Sequence, residues 1–134
     1  FRPDIVQGPL NIFDQRIIRS GWLKKLNRSG IEFHARSIFL QGLLLKKSAE
    51  LPVKFKKYSN IFINYHQWLK KNNLNSFTAC LYFISSIKFV KKIVVGVDNY
   101  FQLQDIMNLK FNKKKYNFKQ LSCLNKNLID PTNW

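Results

Sequence analysis

Residues 4–36 read DIVQGPL, NIFDQRIIRSGWLKKLNRSG and IEFHAR in succession, and this stretch decides the fold. Asp4 to Leu10 is a short apolar run closed by Gly-Pro, which reads as a buried strand leading into a turn. Asp14 is placed to cap the helix that follows. Ile18, Trp22 and Leu26 recur at a spacing of four, with Leu23 beside them, so one face of that helix is apolar. Gly30 stops it just past the last turn. Ile31 to Arg36 then forms a second strand. A strand, a helix and a strand on short connections make a βαβ unit, and such a unit needs parallel pairing.

Working outward, residues 38–45, IFLQGLLL, read as a short turn or helix against the sheet, and residues 46–57 as a basic loop around Pro52. Tyr58 to Lys71 is predicted to be an amphipathic helix with Ile61, Tyr65, Trp68 and Leu69 on one face. Asn72 to Asn75 break it. Ser76 is predicted to cap another helix running to Ile84, with Ala79, Leu81 and Phe83 inward. Ile93 to Val97 reads as a third buried strand. Asp98 or Asn99 caps a final helix whose inner face carries Leu103, Ile106 and Met107. From Lys110 the chain is a polar, Lys-rich tail, so the domain reading is one unit over 1–134 with 110–134 as its tail.

The chain has 134 residues, of which 46% are hydrophobic and 15% aromatic, a composition that supports a packed core and excludes a disordered segment. No stretch is apolar for the length of a membrane span, and no signal-peptide pattern is present. Phe1 leads almost at once into a strand, which reads as a start in the middle of something larger. Cys80 and Cys123 lie far apart and outside any metal-type cluster, as expected of buried free thiols in a reducing, cytoplasmic setting. The net charge of +16 would attract nucleic acid or anionic lipid. Its lysines are scattered, mostly at element ends, and AT-rich codons alone would enrich Lys, Asn, Ile, Phe and Tyr together. A small basic nucleic-acid-binding protein is therefore the weaker reading.

Three segments carry a family resemblance. Val6-Gln7-Gly8-Pro9-Leu10-Asn11 through Arg16 is similar to a strand exit of the form Gln, then "PYN…R". Gly30 to Leu44 resembles "GI…AYSPLGQGLL", and Ile93 to Leu103 resembles "IPGASS.EQL". These patterns belong to the aldo-keto reductase family, and they fall in order over about residues 4–110. The resemblance implies an α/β fold: a partial TIM (β/α)8 barrel, comprising about the last three βα units with parallel strands. Leu128-Ile129-Asp130-Pro131 and Trp134 are similar to a branch of the family found in bacterial carbohydrate-biosynthesis clusters.

The resemblance also implies roles in binding NADP or NAD. Gln7 aligns with a Gln that holds the nicotinamide carboxamide, although it also suits a plain polar strand end. Ser37 aligns with a Ser that contacts the cofactor phosphates. Arg36 stands where many members place an aromatic ring; it can stack as a plane or simply pair with a carboxylate. Gly96, Asp98, Asn99, Gln102 and Asp105 fall on the loop and helix that grip the adenosine part. Members selective for the 2′-phosphate usually carry cations there, so Asp98 and Asp105 leave the phosphate preference open.

The family's catalytic Asp, Tyr, Lys and His come from its first four strands, and none of those motifs stands here. His34 reads as a mid-strand packing residue and His66 as solvent-facing. The expectation is a fragment of an oxidoreductase that acts on a small or sugar-like carbonyl only in the complete barrel. A non-catalytic half-barrel that self-associates is the alternative.

Overall fold

The computed structural model describes residues 2–112 and 114–134. Phe1, read above as an interior start, and Lys113, part of the last lysine run, lie outside the described residues. Among these, three strands form one parallel sheet in the order β1 (Ile5–Pro9), β2 (Glu32–Arg36), β3 (Val90–Ile93). Gln7 pairs with His34 and Pro9 with Arg36, while Phe33, His34 and Ala35 pair with Val90, Lys92 and Ile93 across a bulge at Lys91. Helices α1 (Arg16–Arg19) and α2 (Trp22–Arg28) connect the first pair. Helices α3 (Ser59–Asn72) and α4 (Ser76–Ser85) connect the second, and α5 (Tyr100–Asn108) follows β3.

Strand alternation gives the sheet two unlike faces. Val6, Phe33 and Ala35 turn toward the helices, where Phe33 and Ala35 are buried with Phe13, Phe62, Tyr65 and Phe83. Gly8 belongs to this face because a Cβ there would stand 2.9 Å from Cε2 of Phe33. On the opposite face Ile5, Gln7, Glu32, Arg36 and Lys92 are exposed. His34 on this face is buried, its Nε2 lying 3.1 Å from the carboxylate of Glu32, as its reading as a packing residue required.

Several local expectations need correction. The third strand spans 90–93, not 93–97, and three of its four residues are exposed. Its Val-Lys-Lys-Ile sequence lacks the apolar run that drew attention to Val94 and Val95, but it lies at a sheet edge where lysines are tolerated. Only the Val94 N–H, 2.8 Å from the Ala35 carbonyl, carries the ladder further. The helix expected after Asp14 is broken: Gly21 takes φ +77°, which rotates Trp22 outward to 53% exposure and leaves Leu23 as the buried contact. Gly30 does sit in the left-handed region after α2. Asn75, not Ser76, caps α4, accepting from the Thr78 N–H at 2.8 Å. On α5 Ile106 packs inward, whereas Leu103 and Met107 are exposed.

The tail is not a solvated appendage. Phe118, Cys123, Leu128 and Ile129 are buried, the last two on a short helix, α6 (Lys126–Ile129). The Cys123 N–H donates to the Phe13 carbonyl at 2.9 Å, and Gln15 Nε2 donates to the carbonyls of Ile12 and Phe118. Arg16 bridges Asp14 at 2.8 Å and Asp130 at 3.2 Å. The buried Asp14 carboxylate, and then Asp130, hold the Arg16 guanidinium above its ordinary pKa. Hydrogen bonds from Thr132, and then Arg16, hold the half-buried Asp130 carboxyl below the usual carboxylate range.

Candidate cofactor site

The C-terminal ends of parallel strands leave backbone groups and loops facing one rim, and the site is built there. β2 ends at Arg36, and the chain then turns sharply. Ser37, Leu40 and Gln41 all take positive φ, with Gly42 after them. This run folds residues 37–42 back over the sheet before the 3-10 turn Leu43–Leu45, and Ile38, Leu40, Leu43 and Leu44 anchor it in the core. Non-glycine residues in that region are strained, so the buried leucines are what hold the turn.

A second anchor comes from β1. Asn11 is fully buried; its Oδ1 accepts from the N–H groups of Phe13 (3.1 Å) and Asp14 (2.8 Å), and its Nδ2 donates to the Ser37 carbonyl at 3.1 Å. One amide side chain therefore fixes both the β1 exit and the start of the β2 exit loop. Asp14 does not form the usual N-cap; it bonds the Arg16 N–H and guanidinium instead.

Beside this turn, the loop after β3 closes a cavity of about 450 Å³. Ser37, Gly96, Asp98 and Gln102 line it, with Phe39, Phe77 and Ile106 as its apolar wall. Phe39 and Phe77 stack at 5.6 Å within that wall. Asn99 caps α5 by accepting from the Gln102 N–H at 3.0 Å, and Gln102 Oε1 accepts from the Asp98 N–H at 2.8 Å. The reciprocal pair orders the loop end and leaves the Asp98 carboxylate and the Gln102 amide nitrogen for other partners.

Four of the eight expected site residues thus share one cavity. Asn99 shapes it without lining it. Asp105, one helical turn beyond Gln102, lines a separate groove. Gln7 and Arg36 stand on the exposed sheet face outside the cavity. Gln7 lies two residues before the end of β1, and Arg36 is the last residue of β2. Among the described residues Arg36 meets no carboxylate, and its Nη1 approaches the Ser37 hydroxyl at 3.5 Å. Asn11, Gln41, Phe77 and Ile106 were given no site role from the sequence, although Ile106 was placed on the inner face of its helix. A buried-turn Asn after Gly-Pro-Leu was the available signal for Asn11; Phe77 carries none, since its place depends on how α4 packs.

No tyrosine lines the cavity. Tyr65 is buried on α3 and Tyr82 donates its hydroxyl proton to the Lys110 carbonyl at 3.0 Å. Burial raises the Tyr65 hydroxyl far above its ordinary pKa and pushes the neighbouring Cys80 thiol up to about 12. Both are inert packing groups.

The fold and the geometry meet in the family comparison. The model of the aldo/keto reductase family matches residues 1–126, and the chain belongs to that family. It is thus a member of an oxidoreductase family. No curated protein matches the chain. Among the described residues no helix is long and apolar enough to cross a membrane.

Proposed function

We propose that this chain is the C-terminal half of an aldo/keto reductase (β/α)8 barrel, carrying part of the nicotinamide cofactor site and none of the proton-transfer machinery. The observation behind this reading is the cavity at the C-terminal ends of an open three-stranded parallel sheet, lined by Ser37, Gly96, Asp98 and Gln102. Ligands of barrel enzymes are held on that rim.

The residues fit one portion of the cofactor. The cavity's size and aromatic wall suit the adenosine and its adjoining phosphates. Ser37 offers a hydroxyl, Gly96 a backbone with no side chain in the way, and Gln102 an amide. Gln7 and Arg36, outside the cavity on the exposed face, suit the nicotinamide end, Gln7 by pairing with its carboxamide. A bound nicotinamide supplies the hydride; this chain's own residues bind and orient it. The general acid must come from elsewhere, because the carbonyl oxygen needs a proton donor, no Tyr, Lys or His among the described residues lines the cavity, and the family's catalytic motifs do not stand in this sequence. The substrate is a carbonyl compound, sugar-like by resemblance alone, and the proposed compartment is the cytoplasm.

The test is reductase activity with NADH and NADPH on a panel of aldehydes. The chain alone should show none, and a mixture with an N-terminal part carrying the missing five βα units should show turnover. Turnover by the chain alone would overturn the reading. Because Asp98 is acidic, NADH should be accepted by the complete barrel. A tenfold preference for NADPH, about 1.4 kcal/mol, would refute that part.

A further inference from the structure

A second depression lies behind the cofactor cavity, across the wall made by Leu45 and Phe77, which line both. It encloses about 630 Å³. Its polar lining is Lys47, His66, Lys70, Asn75 and Ser76 with Asp105, and Leu69 and Leu74 supply an apolar floor. Four separate segments contribute: the loop before α3, α3 itself, the start of α4, and α5. The fold therefore gathers cations that are distant in sequence.

His66 is the telling residue. It was expected to face solvent, yet it is only partly exposed, and its Nε2 is buried without a hydrogen-bond partner among the described residues. A buried imidazole nitrogen left unpaired is unfavourable, and a ligand in the groove that gave it a partner would relieve that cost. Two ammonium groups and an imidazole face a single carboxylate, so the charge left over suits an anion. The Leu69, Leu74 and Phe77 side chains suit an apolar body attached to it.

We propose that this groove binds a phosphate monoester, with Lys47 and Lys70 as counter-charges and His66 as a hydrogen-bond donor. The phosphate could belong to a free small metabolite or to the 2′ position of a nicotinamide cofactor whose adenosine lies in the neighbouring cavity. The site itself does not depend on the reductase reading.

The chain contains two histidines, which makes an imidazole NMR titration clean. Phenyl phosphate added to the full chain should shift the His66 ring signals in a saturable way and leave those of His34 in place. The double variant Lys47→Gln/Lys70→Gln should bind at least tenfold more weakly while keeping the wild-type amide spectrum. His66→Phe, which fills the same space, should also weaken binding, as read from the Ser76 amide. NADPH displacing phenyl phosphate where NADH does not would identify the cofactor as the source of the phosphate. Displacement by neither would identify a separate metabolite site. No His66 shift, or equal affinity in the double variant with an unchanged amide spectrum, would overturn the proposal.

Discussion

At the scale of single residues, Asn11 does more than its size suggests. Its amide satisfies two buried N–H groups and one carbonyl across a separation of 26 residues. Asn11→Ala would strand those groups, at about 1–3 kcal/mol for each one left buried and unpaired. The expected loss is about 3 kcal/mol of unfolding free energy, measured by urea denaturation. A loss under about 1 kcal/mol would mean that the turn does not depend on this side chain. Because Asn11 also places Ser37, the variant should lose cofactor affinity in a reconstituted barrel even at temperatures where it stays folded. Asn11 was visible in the sequence within a Gln-Gly-Pro-Leu-Asn run, but its pairing with Ser37 was not, because a hydrogen bond between distant loops leaves no local pattern.

Elements show where periodicity reads well and where it fails. The βαβ unit of residues 4–36 and the amphipathic α3 were legible because burial imposes a period on the sequence; Tyr65, Trp68 and Leu69 are buried as expected. β3 was misplaced by three residues because an edge strand answers to hydrogen bonding rather than to burial, and its lysines hide it. The strained turn at residues 37–42 was illegible for a related reason. Leu40 and Gln41 occupy left-handed backbone that their own types disfavour, and tertiary packing of Leu40 imposes it. Gln41 is exposed and gains no burial in return. Gln41→Gly should therefore stabilise the fold by about 0.5–1 kcal/mol, seen as a higher urea midpoint at unchanged slope. A lower midpoint would show that the Gln41 side chain contributes contacts that outweigh the strain.

For the whole molecule the governing quantity is charge. Lys and Arg number 23 against 7 acidic residues. Among the described residues ion pairs are few: Arg16 with Asp14 and Asp130, and His34 with Glu32. Most lysines therefore repel one another across an open surface. Raising salt from about 10 mM to about 300 mM shortens the screening length from ~30 Å to under ~10 Å and should stabilise the fold. A rise in Tm of about 4 °C, near what 1 kcal/mol gives for a domain of this size, is the expected result of a thermal melt in the two buffers. A Tm that falls with salt would mean that the few ion pairs matter more than the general repulsion. Ile93, Val94, Val97, Tyr100, Phe101, Met107 and Phe111 are exposed in one continuous length of sequence, which is where a covering half-barrel would have most to bury.

The clasp between the β1 exit and residues 118–130 also sets an order in time. Gln15 meets Phe118, and Arg16 meets Asp130, over separations of 103 and 114 residues. A polypeptide emerges from the ribosome at ~5–20 residues per second, so the β1 exit waits several seconds for partners not yet made. During that interval the Gln15 amide and the Arg16 guanidinium lack their distant ties, and only the local bonds around Asn11 and Asp14 shape the segment. Nascent chains of this protein should then be open to proteases near residues 11–16 until residue 130 has left the ribosome, and the closing of that window marks the moment the first strand's exit becomes native.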